Sequence, residues 1–156
     1  MNTDENDILK KGIIRIWIIW GAMFCSLFIY VVICHVLKLT WQPLAGSDFP
    51  IDRFKNGLYF SSFVILLLSH YVRNFIIKAD SETQLARFFR VAAQANIPIK
   101  LFKYQTAVII SLALSESVGL FGFVVFILTK EFYTLYIFIA ISAAAMLYHI
   151  PKMSEI

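Results

Sequence analysis

Residues Ala107 to Leu128 form an apolar run long enough to cross a bilayer, and near its middle stands a carboxylate, Glu116. About 20 consecutive apolar residues suffice to span a hydrocarbon core as a helix. A charged side chain at the bilayer centre costs about 2.5–3.5 kcal/mol on insertion scales, so it is neutralised, paired, or turned toward protein or water. Spacing adds a second constraint. Ala107, Ser111, Ser115 and Gly119 recur every fourth residue, and Gly122 follows three further on. On a helix these small residues make one continuous groove into which a neighbouring backbone can pack closely, a principal source of helix association in lipid. Glu116 lies on the edge of that groove, so it is expected to face a partner helix.

The stretch Ser111-Leu-Ala-Leu-Ser-Glu116-Ser-Val-Gly-Leu-Phe121-Gly122-Phe-Val-Val125 resembles the carboxylate-bearing helix of the proteolipid ring subunit (subunit c) of rotary ATP synthases and ATPases. A serine-leucine-alanine run leads to the carboxylate, and an aromatic-glycine pair with paired valines follows. The resemblance covers residues 107–128 and does not extend to the rest of the chain. It implies an ion-binding role for Glu116 within a larger membrane assembly.

Three further apolar runs fit the same membrane reading. The 156 residues are 60% hydrophobic and 15% charged, with a mean hydropathy of +0.75; a soluble core would leave much of that apolar surface in water. The chain is therefore expected to be an all-α integral membrane protein, one domain of four transmembrane helices at about 16–37, 58–77, 106–128 and 132–150. Residues 1–9 are polar and acidic and are expected to be a mobile tail. A short amphipathic helix is predicted between the second and third spans: Ser81 and Gln84 read as a capping box, apolar Leu85, Phe88, Phe89, Ala92 and Ala95 follow at helical spacing, and Pro98 ends it. Such a helix lies on the membrane surface or offers Leu85–Ala95 to a cytoplasmic partner.

Basic residues set the orientation. Lys10, Lys11, Arg15, Arg73, Lys78, Arg87, Arg90, Lys100, Lys103 and Lys152 fall on one side, and Lys38, Arg53, Lys55 and Lys130 on the other. The richer side is cytoplasmic by the positive-inside rule, which places both termini there. The net charge of +4 reports this topology and headgroup contact, with no nucleic-acid partner expected. Trp17 and Trp20, just inside the basic flank, read as an interfacial belt. The third and fourth spans are joined by little more than Thr129 to Phe132 and should form a tight antiparallel hairpin. Ala140, Ala143, Ala144 and Ala145 in the fourth span are expected to answer the groove formed by Ala107, Gly119 and Gly122.

Candidate ion-site companions of Glu116 are Ser111, Ser115 and Ser117, whose hydroxyls donate and accept, and His70, which lies at a similar depth if the second and third helices touch. The two functional classes that survive are ion binding at Glu116 and a structural or accessory subunit in which Glu116 only bridges helices. Partners under either are the bilayer together with copies of this chain or other membrane subunits. No nucleophile, base and orienting acid can be assembled into a catalytic set, so no enzyme on its own is expected. No cofactor or metal is expected either: Cys25 and Cys34 are about 13 Å apart along one helix, and Cys34-His35 lacks a second ligand pair.

Overall fold

The computed structural model describes residues 3–40, 50–78 and 99–151. Four helices account for nearly all of them: α1 (Thr3–Thr40), α2 (Ile51–Lys78), α3 (Ile99–Thr129) and α4 (Phe132–Tyr148). No strand occurs among the described residues. The all-helical expectation therefore stands. Two segments, Lys10–Thr40 and Lys100–Thr129, are long and apolar enough to cross a membrane, while the apolar α4 is shorter.

The boundaries differ from those read from hydropathy. Helix α1 begins at Thr3 and takes in most of the stretch expected to be a mobile tail, α2 starts at Ile51, and α3 starts at Ile99. Hydropathy marks the apolar part of a helix and is blind to polar turns that continue it, as Asp52, Lys55, Lys100 and Lys103 do here. The predicted surface helix, with its docking face at Leu85–Ala95, lies outside the described residues.

Helix α3 packs against each of the other three. Contacts along its length give the directions. Gly12 meets Leu101, and Gly119 meets Leu27, so α1 and α3 run the same way. Ile76 packs on Ala107 and Lys55 pairs with Glu131, so α2 runs opposite; Gly122 against Leu135 and Phe138 makes α4 opposite too. Apolar clusters fill the seams, the two largest on opposite sides of α3. Ile16 and Leu27 of α1 meet Tyr104, Val108 and Leu112 of α3 and Met146 of α4. On the other side of α3, Val118 and Val125 close on Phe138, with Leu58 and Tyr59 of α2 packed over them. Tyr59 stacks on the Phe138 ring at 4.7 Å and 9°.

The small-residue groove is present but is shared, with Leu27 of α1 also reaching Gly119. Its first part, Ala107 and Ser111, receives α2 through Ile76 and Ser69; Ser115, Gly119 and Gly122 receive α4. The face of α4 that enters is Leu135, Phe138 and Ser142, and this corrects the expectation for Ala140 and Ala144, both of which are exposed. Each lies two positions from Ser142, hence about 200° round the helix. A helix apolar on every face gives no periodic signal for choosing the packed one; of the other two alanines, Ala143 packs against the cluster between α1 and α3, and Ala145 is half-buried.

At the α3–α4 connection the chain reverses tightly, as expected. Lys130 adopts the left-handed conformation with φ 59, and its N–H donates to the Phe126 carbonyl at 2.7 Å, which closes the end of α3. Next to it, Lys55 of α2 pairs with Oε2 of Glu131, which also accepts from Thr134 Oγ1 at 3.0 Å. The Lys55 ammonium, followed by the Thr134 hydroxyl, holds the Glu131 carboxyl below its ordinary value of 4.5. A lowered folded-state value means stability that is present above the ordinary value and lost as pH falls through the folded one. Lys55→Met should therefore lower stability at neutral pH by less than about 1 kcal/mol, since the pair is partly solvated. Unfolding curves of variant and parent should converge below pH 4.5.

The outward surface is apolar over long stretches. Ile18, Phe28, Val32 and Val36 of α1 and Phe60, Phe63, Leu67 and Tyr71 of α2 are all exposed. Continuous apolar surface of this kind marks contact with lipid or another protein.

Candidate functional site

Because α1 and α3 run parallel, residues equally far from their basic starts lie side by side. Ser26 is sixteen residues beyond Lys10 and Glu116 sixteen beyond Lys100, both close to the midpoints of the two long apolar segments. Tyr30 lies one turn after Ser26 on the same face. The structure joins all three. Ser26 Oγ stands 2.5 Å from Oε1 of Glu116, and the Tyr30 hydroxyl donates to the same oxygen at 2.9 Å. Ser26 Oγ is also 2.6 Å from the Met23 carbonyl. Glu116 is half-buried, and Leu27, next to Ser26, and Leu112, one turn before Glu116, are packed into the core beside it. Phe123 lies 5.7 Å from the Tyr30 ring. The carboxyl thus sits at a helix seam, with apolar residues above and below.

The companions expected from sequence lie elsewhere. Ser111 Oγ donates to the Ala107 carbonyl at 2.8 Å, Ser115 Oγ to the Ser111 carbonyl at 2.9 Å, and Ser117 Oγ to the Leu114 carbonyl at 2.7 Å. None of these hydroxyls meets Glu116. The reason is angular: Ser111 and Ser115 face α2 and α4, whereas Glu116, about 100° further round, faces α1. Ser26 and Tyr30 were missed because single-helix spacing cannot pair residues on different helices. The matching distances from Lys10 and Lys100 were the signal available.

His70 is also not at the site. It is exposed, with its Nε2 3.0 Å from the Asn74 amide on the same helix. The buried histidine is His149. Its Nδ1 is 2.9 Å from an Arg73 guanidinium nitrogen and its Nε2 is 3.1 Å from Ser69 Oγ. Arginine can only donate, so Nδ1 is the accepting nitrogen and Nε2 carries the proton given to Ser69, which donates in turn to the Ser111 carbonyl at 3.2 Å. Arg73, counted above among the basic residues of the richer side, is buried, with its guanidinium against His149.

Trp20, expected from sequence in an interfacial belt, makes a contact across the bundle. Its indole N–H donates to the Met146 carbonyl at 3.0 Å, near the end of α4, where helix carbonyls lack intrahelical donors. Among the described residues no group of three or more His, Cys, Asp or Glu side chains is placed to hold a metal ion. Comparison with protein families, curated proteins and solved structures finds no match. A carboxyl faced by two hydroxyls at an apolar seam can hold a proton or a small cation, or can simply join α1 to α3.

Proposed function

We propose that this chain is a small multi-pass membrane protein that binds, or moves, a proton or cation at Glu116 within a larger membrane assembly. In this reading all four helices cross the bilayer, both termini are cytoplasmic, and the outward apolar faces of α1 and α2 meet lipid, other subunits or copies of this chain. The observation that carries it is the placement of Glu116: midway along an apolar segment, at a helix seam, with the hydroxyls of Ser26 and Tyr30 on its Oε1. Intramembrane carboxyls are costly and mark ion pathways and proton relays. The resemblance of residues 107–128 to the proteolipid ring subunit of rotary ATPases supports the same reading, as does the close-packed groove beside the carboxyl.

A second reading makes Glu116 a helix bridge in a non-catalytic accessory subunit. It is favoured by the fact that the hydrogen bonds of Glu116 both run to α1. Glu116→Gln separates the two, because the amide oxygen can still accept from Ser26 and Tyr30 but cannot gain or lose a proton. In vesicles from native membranes, the ion flux that depends on this protein should be lost in Glu116→Gln while the protein remains folded. Full flux through the variant would establish the bridging role instead.

A further inference from the structure

We propose that the end of the bundle where α1 finishes and α4 begins holds the phosphate of an anionic phospholipid, bound through Lys38 and Lys130. The site is separate from Glu116. It rests on the membrane placement of the helices given above, since a lipid is at hand only there.

Because α1 and α4 run in opposite directions, the last turn of α1 stands beside the turn that opens α4. Two lysines meet at that junction. Lys38 lies in the last turn of α1, with its Nζ 5.2 Å from the centre of the Phe132 ring. Lys130, in the left-handed conformation between α3 and α4, brings its Nζ to 3.4 Å from the Lys38 carbonyl. That carbonyl is at a helix end, where intrahelical donors are lacking.

No acid answers this pair of charges. Glu131 follows Lys130 in sequence, but its carboxylate is taken by Lys55 and by the Thr134 hydroxyl. Among the described residues neither Lys38 nor Lys130 forms an ion pair. Like charges held near one another repel, and an anion between them removes that cost. An ammonium also carries three donors; Lys130 uses one on the Lys38 carbonyl, and Lys38 faces an aromatic ring. A phosphate supplies both the negative charge and several accepting oxygens.

The surroundings favour a lipid phosphate over a free one. Val32, Val36 and Leu39 of α1 and Tyr133 and Tyr136 of α4 are exposed, so acyl chains have an apolar surface next to the headgroup. The junction stands at the end of the long apolar segment Lys10–Thr40, the level at which lysines reach headgroups and tyrosines favour the interface. Packing fixes the platform. The Phe132 ring lies 4.7 Å from that of Phe126 and 4.8 Å from that of His35, and His35 Nδ1 donates to the Val31 carbonyl at 2.9 Å.

Native mass spectrometry of the full-length protein in detergent tests this, with dioleoyl phosphatidylglycerol as the probe and zwitterionic dioleoyl phosphatidylcholine as its counterpart. The wild type should hold one phosphatidylglycerol more tightly than phosphatidylcholine. Lys38→Gln/Lys130→Gln should weaken that binding about 30-fold, as the loss of two basic side chains facing an anionic headgroup implies. Lys38→Arg/Lys130→Arg should retain it. Lys10→Gln/Lys100→Gln, the same change of charge at the other end of the bundle, should leave it unaltered. Unchanged affinity in the folded Lys38→Gln/Lys130→Gln protein, or an equal loss in Lys10→Gln/Lys100→Gln, overturns the site and leaves the membrane placement standing. Displacement of the lipid by an equal concentration of glycerol 1-phosphate overturns the assignment to a lipid. A wild-type protein that stays monodisperse once detergent is removed overturns this proposal and the membrane placement together.

Discussion

Gly122→Leu should be the most damaging single change in the bundle, lowering stability in detergent by about 1–3 kcal/mol, the usual range for overfilling a packed interior. Even a methyl group has no room. A Cβ at Gly122 would lie 2.7 Å from the Phe138 Cβ, 3.1 Å from the Leu135 carbonyl oxygen and 3.4 Å from the Leu135 Cα. These atoms belong to, or are fixed directly to, the backbone of α4, so they move only if the helix moves. At Gly119 the tightest contact is instead Leu27 Cδ2 at 2.7 Å, the far end of a flexible side chain, and Gly119→Ala should be milder than Gly122→Ala. Gly57 has nothing within 4 Å. Thermal unfolding should rank Gly122→Ala as more damaging than Gly119→Ala, and both as worse than Gly57→Ala. Equal midpoints for Gly122→Ala and Gly57→Ala would show that α3 and α4 do not approach as described.

The second large effect is expected at His149. Replacing it with leucine removes the group that accepts from Arg73 and donates to Ser69, inside a seam where Arg73, Ser69 and Ser111 are all buried. Loss of one partner in a buried polar set costs about 1–3 kcal/mol, and more where a charged group is involved. His70→Leu, one residue from Ser69 but on the exposed face, should be close to neutral. Denaturation of the two variants side by side decides the matter. If His70→Leu is the more destabilising, the buried histidine has been misassigned.

The order of helices was legible because each apolar run is bounded by polar or helix-breaking residues. The close-packed stripe on α3 was legible too, since small residues at every fourth position survive any choice of neighbour. What covers that stripe was not. Helix α4 is apolar all round, so Leu135, Phe138 and Ser142 could not be told from Ala140 and Ala144 by periodicity. The carboxyl was legible as an anomaly in an apolar segment, whereas Ser26 and Tyr30, on a helix some 90 residues earlier in the chain, take on meaning only once α1 and α3 are known to run parallel in register. His70 and His149 show the same limit: depth along the chain suggested the first, and the rotation of α2 about its own axis selected the second.

Labelling by a hydrophobic carbodiimide tests the proposed role of Glu116 most directly. Such a reagent partitions into the apolar phase and reacts with a protonated carboxyl there. In native membranes it should modify Glu116 before Asp52 or Glu131, and labelling of that peptide should vanish in Glu116→Gln. Tyr30→Phe, which removes one of the two hydroxyls on the carboxyl, should alter the rate. Modification of Asp52 or Glu131 with Glu116 left untouched, at acidic and neutral pH alike, would contradict the account.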